Sequence, residues 1–386
     1  MREVTSSKLR DVGTTIFTEM TALAKRTGAV NLGQGFPDTD GPPAVLAAAQ
    51  QAIRDGHNQY PPLDGVPELR EAIAETRWEH YGQELEEILV TAGATEALAA
   101  ALIALCEPGD EVVVFEPYYD SYLANLAMAG GVRRPVQLRP MGESFGFDPD
   151  ELRAAITPRA RLLLLNTPHN PTGKVFTRAE LEFIAALCVE HDLIAVTDEV
   201  YEHLIYDGAQ HIPLATLPGM GERTLTISSA GKTFSATGWK IGWACGPAPL
   251  VSATRKAKQF LTFAGGTPFQ AAVAVGLREE MDWVRGLRDD LQLRRDRLRA
   301  GLQACGATTF PCEGTYFLQI DARSLGYDDG VELCQALAHK AGVVGIPAQV
   351  FFDDVATGRR FVRFAFCKSD SVLDEGIKRL SNFGGA

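Results

Sequence analysis

The order of apolar segments from residue 87 onward constrains the fold more than any other feature. Short apolar runs such as "EILVTAG", "DEVVVFEP", "RLLLLNTP" and "LIAVTDEVY" alternate with amphipathic stretches such as "RAELEFIAALCVEHD". Apolar strands separated by helices are typical of a mostly parallel sheet that is covered on both faces. Two more strands, "TLTISSAGK" and "KIGWACG", extend the series. In such sheets ligands bind at the carboxyl ends of the strands.

The pattern changes after residue 280. A long helical segment, "MDWVRGLRDDLQLRRDRLRAGLQACG", precedes shorter strands in "TYFLQID", "GVVGIP" and "FVRFAFCK". A chain of 386 residues is also longer than one hydrophobic core usually supports. We therefore predict an N-terminal arm and part of a small domain over 1–44, a large α/β domain over 45–280, and a small α+β domain over 281–386.

Composition excludes several classes of function. The net charge of −12 argues against nucleic acid or an anionic membrane as the main partner. The seven cysteines contain no C-x-x-C pair, which favours reduced thiols and a cytoplasmic protein. The start, "MREVTSSKLRDVG", lacks the apolar region of a signal peptide. His57, His169 and His203 lack metal-ligand spacing, so no metal site is predicted.

One Gly-rich loop carries two lysines without an acidic neighbour. The segment "SSAGKTFSATGWKIGWACG" runs from Ser228 to Gly246 and contains Lys232 and Lys240. A phosphate-binding P-loop would need glycine five residues before Gly231, where the chain has threonine. The two cations therefore require another explanation.

Polar residues follow the other predicted strands. "TDEVYEHL" places Asp198 and Tyr201 after one strand, and "NTPHNPTG" places Asn170 after another. "TAGATEAL" turns from strand to helix and leaves free backbone N–H groups, which form a ready anion site. "EPYYDSY" adds two adjacent tyrosines. A phosphate cradle, a carboxylate, an aromatic ring and an unpaired lysine together match the needs of pyridoxal phosphate (PLP).

These strings identify a family. "NLGQGFPD", "TPHNPTG", "TDEVYEHL", "SAGKTFSATGWKIGW" and "FVRFAFCK" occur in the order found in class I aminotransferases, and the resemblance covers essentially the whole chain. The chain thus resembles fold-type I PLP-dependent enzymes. The resemblance implies a seven-stranded, mostly parallel sheet between helices, a smaller α+β domain, and a homodimer with shared active sites.

The resemblance also implies a role for each matching residue. Lys232 would bind PLP covalently and shuttle a proton, and Asp198 would pair with the ring nitrogen. Arg363 and Gly35 would bind the substrate carboxylate, and Tyr60 would reach the phosphate of the other subunit. The remaining cofactor-binding residues are expected to be Lys240, Ser229, Ala94 and Thr95 at the phosphate, Tyr119 at the ring face, and Asn170 and Tyr201 at the phenolic oxygen.

Two branches of the family share these strings. Segments such as "NQYPPLDG", "EPYYDSY" and "SLGYDDGVELC" resemble the N-succinyldiaminopimelate aminotransferases of lysine biosynthesis. The other branch comprises kynurenine, glutamine and methionine aminotransferases, some with cysteine-conjugate β-lyase activity. We favour the first, with 2-oxoglutarate and glutamate as the second pair. A PLP-dependent lyase and a non-catalytic PLP-binding regulator remain alternatives.

Overall fold

The structure is a computed structural model that describes residues 4–10, 13 and 15–383. The first three residues, which are part of the segment tested for a signal peptide, lie outside the described range. Within that range, no helix combines the length and the apolar character that a membrane span requires.

The sheets are built from fifteen described strands. In chain order they are β1 Val30–Asn31, β2 Glu87–Thr91, β3 Glu111–Glu116, β4 Val132–Gln137, β5 Arg139–Met141, β6 Ser144–Gly146, β7 Ala160–Asn166, β8 Ile194–Asp198, β9 Thr224–Ser229, β10 Gly242–Gly246, β11 Thr308–Thr309, β12 Phe317–Asp321, β13 Val343–Val344, β14 Ile346–Pro347 and β15 Phe361–Ala365.

Fourteen α-helices are present in the same range. They are α1 Ile16–Thr27, α2 Pro43–Arg54, α3 Pro67–Tyr81, α4 Gly93–Leu105, α5 Asp120–Ala129, α6 Pro149–Ala155, α7 Arg178–Glu190, α8 Ala230–Thr233, α9 Ala248–Lys258, α10 Thr267–Glu279, α11 Met281–Ala304, α12 Gly330–Ala336, α13 Val355–Gly358 and α14 Asp370–Ser381.

The largest sheet has seven strands in the order β2-β10-β9-β8-β7-β3-β4. β10 runs antiparallel to β2 and β9, whereas the other neighbours are parallel. The predicted mostly parallel, seven-stranded α/β sheet is therefore confirmed. Asn166 pairs with Asp198, and Asp198 pairs with Ile227, so the carboxyl ends of β7, β8 and β9 lie at one edge.

The central strands are buried on both faces. In β7, Leu162 and Leu164 belong to a core cluster shared with α4, α5 and α9, whereas Leu163 and Leu165 belong to a second cluster that includes α7. All four leucines are at most 1% exposed. Burying each such side chain contributes about 1.5–3 kcal/mol. This burial on both faces explains why the run "LLLL" lacks polar alternation.

A second sheet and the N-terminal residues complete the fold. Its order is β11-β12-β15-β14, and all its pairs are antiparallel. β1 pairs in parallel with β13, which joins the N-terminal part of the chain to residues more than 300 positions later. The predicted limits 1–44, 45–280 and 281–386 stay predictions.

Candidate active site

A cavity of about 270 Å³ lies at the carboxyl edge of the seven-stranded sheet. The described structure brings eleven of the twelve predicted site residues to its lining. These are Gly35, Ala94, Thr95, Tyr119, Asn170, Asp198, Tyr201, Ser229, Lys232, Lys240 and Arg363. Only Tyr60, of the twelve, does not line it.

Lys232 lies in the short helix α8, directly after β9. Its Nζ donates a hydrogen bond to the hydroxyl of Tyr316 at 2.7 Å. Among the described residues it forms no ion pair with a carboxylate. Burial lowers the pKa of Lys232 to about 8, with further lowering from Lys240 and Arg363 and opposition from Cys367 and Asp198. About a tenth of this amine is therefore neutral and nucleophilic at pH 7, far more than for a lysine with its ordinary pKa.

Asp198 ends β8 and is 5% exposed. Tyr122 donates its hydroxyl proton to Asp198 Oδ2 at 2.6 Å, and the N–H of Val200 approaches Oδ1 at 3.4 Å. Burial raises the pKa of Asp198 to about 6, although both hydrogen bonds act in the opposite direction. The carboxylate is thus desolvated and needs a cationic partner to be stable in its charged form.

The N-terminus of α4 forms an anion cradle beside Lys240. The first-turn N–H groups of a helix have no intrahelical acceptor, and those of Ala94 and Thr95 are at the cavity. A Cβ at Gly93 would lie 3.1 Å from Lys240 Nζ, and one at Gly242 would lie 2.6 Å from the carbonyl carbon of Gly93. Glycine at both positions therefore allows strand, helix and lysine to approach closely.

Lys240 adopts a left-handed backbone conformation with φ of 55°. Such a conformation is uncommon for a residue other than glycine and costs about 1 kcal/mol or more. Ser229, at the end of β9, is buried beside the same cradle. The strained turn places both Lys232 and Lys240 at one cavity although they are eight positions apart in the sequence.

Arg363 lies in the middle of β15 and is 1% exposed. Its Nη1 donates to Asn170 Oδ1 at 2.9 Å and its Nη2 to the carbonyl of Gly33 at 3.2 Å, whereas its Nε has no hydrogen-bond partner among the described residues. The guanidinium carbon lies 3.8 Å from the ring centroid of Phe317. No described carboxylate forms an ion pair with it, and burial lowers its pKa to about 10.

The predicted aromatic residues separate into two groups. Tyr119 and Tyr201 line the cavity. Tyr118, the neighbour of Tyr119, instead donates its hydroxyl proton to Asp353, outside the cavity. Tyr60 is 77% exposed and packs edge-on against Phe263, with 5.4 Å between ring centroids. Phe260, three positions before Phe263, is 86% exposed. Tyr60 therefore belongs to an exposed apolar surface.

A buried network lies behind the loop that follows β8. Asp198 and Tyr201 face the cavity, whereas Glu199 and Glu202 bind Arg77 at 3.0 and 2.6 Å. His211 Nε2 lies 3.0 Å from Glu199, and Ser228 donates to Glu202 at 2.6 Å. Gln83 accepts two hydrogen bonds from Arg77. The network fixes the backbone that presents Asp198 and Tyr201.

Sequence analysis missed several residues at the site. Tyr122 follows Tyr119 by three positions on α5, and this helical spacing after a strand could have indicated it. Tyr316 carried no comparable signal, because Lys232 and Gly35 are 84 and 281 positions away. The cavity is also lined by Phe17, Gln34, Asn166 and Phe317.

Comparison with known proteins agrees with this geometry. Residues 27–380 match the family described as aminotransferase class I and II. The chain is 55% identical to a probable N-succinyldiaminopimelate aminotransferase of Mycobacterium tuberculosis over 98% of each chain. It is 41% identical to the methionine aminotransferase of Escherichia coli, again over 98% of each.

A solved structure and a further sequence relative give the same result. The structure of N-succinyldiaminopimelate aminotransferase from Mycobacterium tuberculosis superposes with a TM-score of 0.96 at 55% identity, and the match covers 98% of this chain and 100% of the other. Mouse kynurenine–oxoglutarate transaminase 3 is 38% identical over 96% of this chain and 88% of its own length. The chain belongs to the class I and II aminotransferases and has the α/β fold of that family.

Proposed function

We propose that this aminotransferase uses PLP to move the amino group of N-succinyl-L,L-diaminopimelate to 2-oxoglutarate, with glutamate as product. The observation that carries the aminotransferase chemistry is that one cavity contains the partly buried amine of Lys232, which has no carboxylate counter-ion among the described residues, and the buried carboxylate of Asp198. The observation that carries the substrate is 55% identity over 98% of the chain to a relative of that name.

The residues of the cavity fit PLP. Lys240, Ser229 and the N–H groups of Ala94 and Thr95 supply cationic and neutral donors for a phosphate. Asp198 would keep a ring nitrogen protonated, and Lys232 would bind the aldehyde covalently. When bound, PLP acts as an electron sink that stabilises negative charge at the substrate α-carbon.

The polar and aromatic residues around the ring would orient it. Asn170 uses its Oδ1 to accept from Arg363, which leaves its Nδ2 free to donate to a phenolic oxygen. Tyr201 is buried and lines the same cavity, where its hydroxyl would bind the phenolic oxygen, and Tyr119 would stack on one face of the ring.

The substrate carboxylate would bind Arg363. Its Nε lacks a partner and its guanidinium lacks a counter-ion among the described residues, so a carboxylate satisfies both. Gly35 lies at the same end of the cavity. With the carboxylate held there, the amine of Lys232 would take the proton from the substrate α-carbon and pass it to the C4′ carbon of PLP, so that the amino group would stay with the cofactor when the 2-oxo acid leaves.

A half-reaction tests the chemistry. Purified protein mixed with N-succinyl-L,L-diaminopimelate alone should convert its PLP absorbance to that of the amine form. Lys232→Ala should lose the absorbance of covalently bound PLP and nearly all turnover. An unchanged visible spectrum in that variant would contradict the assignment of Lys232.

The kynurenine, glutamine and methionine branch remains the second candidate, because the methionine aminotransferase is 41% identical over nearly the whole chain. A site built for extra carboxylates discriminates strongly against apolar tails, since polar groups would be left unpaired. If kynurenine or methionine exceeds the succinylated substrate in kcat/KM by about tenfold (about 1.4 kcal/mol), the second candidate replaces the first. Release of pyruvate and ammonia without a 2-oxo acid would identify a β-lyase.

We also propose a cytoplasmic homodimer with shared active sites. The exposed rings of Tyr60 and Phe263, which contact each other, form an apolar surface that a second copy would cover, and Tyr60 would then reach the partner's phosphate site. Tyr60→Phe should weaken PLP retention more than it lowers thermal stability. A fully active monomer in sedimentation experiments would contradict the dimer.

A further inference from the structure

The hydroxyl of Tyr316 connects the reactive lysine to the substrate-binding loop. Lys232 Nζ donates to it at 2.7 Å, and it donates in turn to the carbonyl of Gly35 at 2.6 Å. Within the described part of the chain, this hydroxyl is the only hydrogen-bond partner found for the Lys232 amine. The same loop supplies the carbonyl of Gly33 to Arg363. Arg363 therefore binds this loop directly, and Lys232 is connected to it through the hydroxyl of Tyr316.

The direction of both hydrogen bonds follows from the chemistry of the groups. A carbonyl can only accept, so the single hydroxyl proton of Tyr316 goes to Gly35, and the oxygen lone pairs face Lys232. Burial keeps the pKa of Tyr316 well above its ordinary value, so the phenol stays protonated. Tyr316 can therefore accept a hydrogen bond from the Lys232 amine. It does not donate one to the amine, so the nitrogen lone pair stays available.

Packing fixes the Tyr316 ring. The ring is 1% exposed and contacts Tyr201 and Phe317 edge-on, at centroid distances of 5.2 and 4.8 Å. A ring held on two sides and at its hydroxyl has little freedom to turn away. Because the Tyr316 ring is already fixed, it can orient the flexible side chain of Lys232 without losing conformational entropy of its own in each turnover.

We propose that Tyr316 is a positioning residue that holds the Lys232 amine beside the cavity whenever its covalent bond to the cofactor is broken. The inference rests on the proposed function, in which substrate displaces Lys232 from PLP. The hydrogen bond orients the nitrogen lone pair toward the substrate α-carbon. It is also stronger to the ammonium than to the neutral amine, because the donor is then charged.

Removing the hydroxyl should produce two separate effects. Tyr316→Phe keeps the ring but leaves the amine without its acceptor, so proton transfer from the α-carbon should slow about 10- to 100-fold. The ammonium also loses more stabilisation than the amine. The midpoint for deprotonation of Lys232 should therefore fall by about half to one pH unit.

The chain offers a matched control. Tyr206 is also 1% exposed, and its hydroxyl also donates to a backbone carbonyl, that of Thr315, but the structure shows no bond from it to Lys232. Tyr206→Phe therefore removes the same kind of buried hydrogen bond nearby. General loosening of the core would affect both variants equally.

The experiment measures the Lys232 amine directly. The protein without PLP is labelled with trinitrobenzenesulfonate over a range of pH, and the modified lysine is quantified by peptide mass spectrometry. Tyr316→Phe should shift the midpoint for Lys232 downward relative to wild type, and Tyr206→Phe should not. The PLP-loaded variants are then compared in single-turnover half-reactions with α-deuterated donor, where Tyr316→Phe should show the larger isotope effect.

An equal midpoint in all three proteins, or equal shifts in both variants, would overturn the proposal. If Tyr316→Phe does not fold, 3-fluorotyrosine at position 316 keeps the shape of the side chain and weakens the oxygen as an acceptor. It should lower the midpoint for deprotonation of Lys232 by a smaller amount. An unchanged midpoint in that protein would also overturn the proposal. PLP should protect wild-type Lys232 from labelling. Failure of that protection would overturn the proposed function itself, and the role of Tyr316 with it.

Discussion

Arg77 and Arg363 are both almost fully buried, at 2% and 1% exposure, but their surroundings differ in charge. Arg77 binds two carboxylates, Glu199 and Glu202, whose attraction outweighs burial and raises its pKa above the ordinary value. In the described part of the chain, Arg363 forms no ion pair: it donates to an amide oxygen and a carbonyl and packs on aromatic rings, and burial lowers its pKa to about 10. A buried cation with its counter-ions in place serves the fold, whereas one without them is suited to bind an anion from solution.

The largest expected effect is the loss of activity on replacing Arg363. Replacing it with methionine removes the carboxylate partner of the substrate in a desolvated site, which costs about 4 kcal/mol and lowers kcat/KM about 10³-fold. Arg363→Lys should recover only part of this, because an ammonium cannot bind bidentately. Steady-state kinetics measure the loss. The thermal midpoint of Arg363→Met should not fall, and activity within threefold of wild type would contradict the assignment.

Arg77→Met should show the opposite pattern. It leaves Glu199 and Glu202 buried without their cation and should lower the free energy of unfolding by about 3 kcal/mol, the lower end of the range because His211 and Gln83 remain nearby. Urea unfolding measures the change. Adding Glu199→Gln and Glu202→Gln to this variant should restore much of the stability. A stable Arg77→Met single variant would remove the contrast between the two arginines.

Binding of a 2-oxo acid should sharpen the comparison further. At 100 times its dissociation constant, 2-oxoglutarate should stabilise the wild-type protein by about 2.7 kcal/mol, because it binds only the folded state. The same concentration should stabilise Arg77→Met by a similar amount and Arg363→Met hardly at all. Thermal shift assays test this directly. Equal stabilisation of both variants would place the carboxylate site elsewhere.

The smallest expected effect is the pH dependence of stability and of PLP affinity that Asp198 causes. Because burial raises the pKa of Asp198 from 3.8 to about 6, protonation of this group stabilises the protein without PLP below pH 4, and that contribution is lost as pH rises through about 6. Binding of PLP needs the ionised form, so the affinity should fall about tenfold for each pH unit below 6. Equilibrium titration measures it, and Asp198→Asn should abolish the dependence.

Much of the fold could be predicted from the sequence, because the buried strands β3, β7 and β8 each contain a run of three or more apolar residues. Strand β4 could not be predicted, because its sequence, "VRRPVQ", contains two arginines and a proline and resembles a loop. The structure explains this composition, because β4 is an edge strand that pairs only with β3, and an edge tolerates proline and charge.

The site was predictable where function requires a rare residue at a strand end. Lys232, Asp198 and Arg363 belong to recognisable strings, and all three line one cavity. Arg77 and Tyr316 gave no signal, because an arginine within a helix and a tyrosine before a strand are ordinary in sequence. Their importance arises from partners more than 80 positions away, which only the tertiary structure brings together.

The bond between Arg363 and Gly33 spans 330 residues and has a consequence for synthesis of the protein. At 5–20 residues per second, the ribosome needs roughly 15 to 70 seconds to make the intervening chain. During most of that time β1 lacks its partner strand β13, and the carbonyls of Gly33 and Gly35 lack their donors Arg363 and Tyr316. The seven-stranded sheet, complete by residue 246, can fold earlier, but the pocket closes only after Arg363, at position 363 of 386, has been made. Nascent chains arrested before β15 should therefore be compact yet unable to bind substrate.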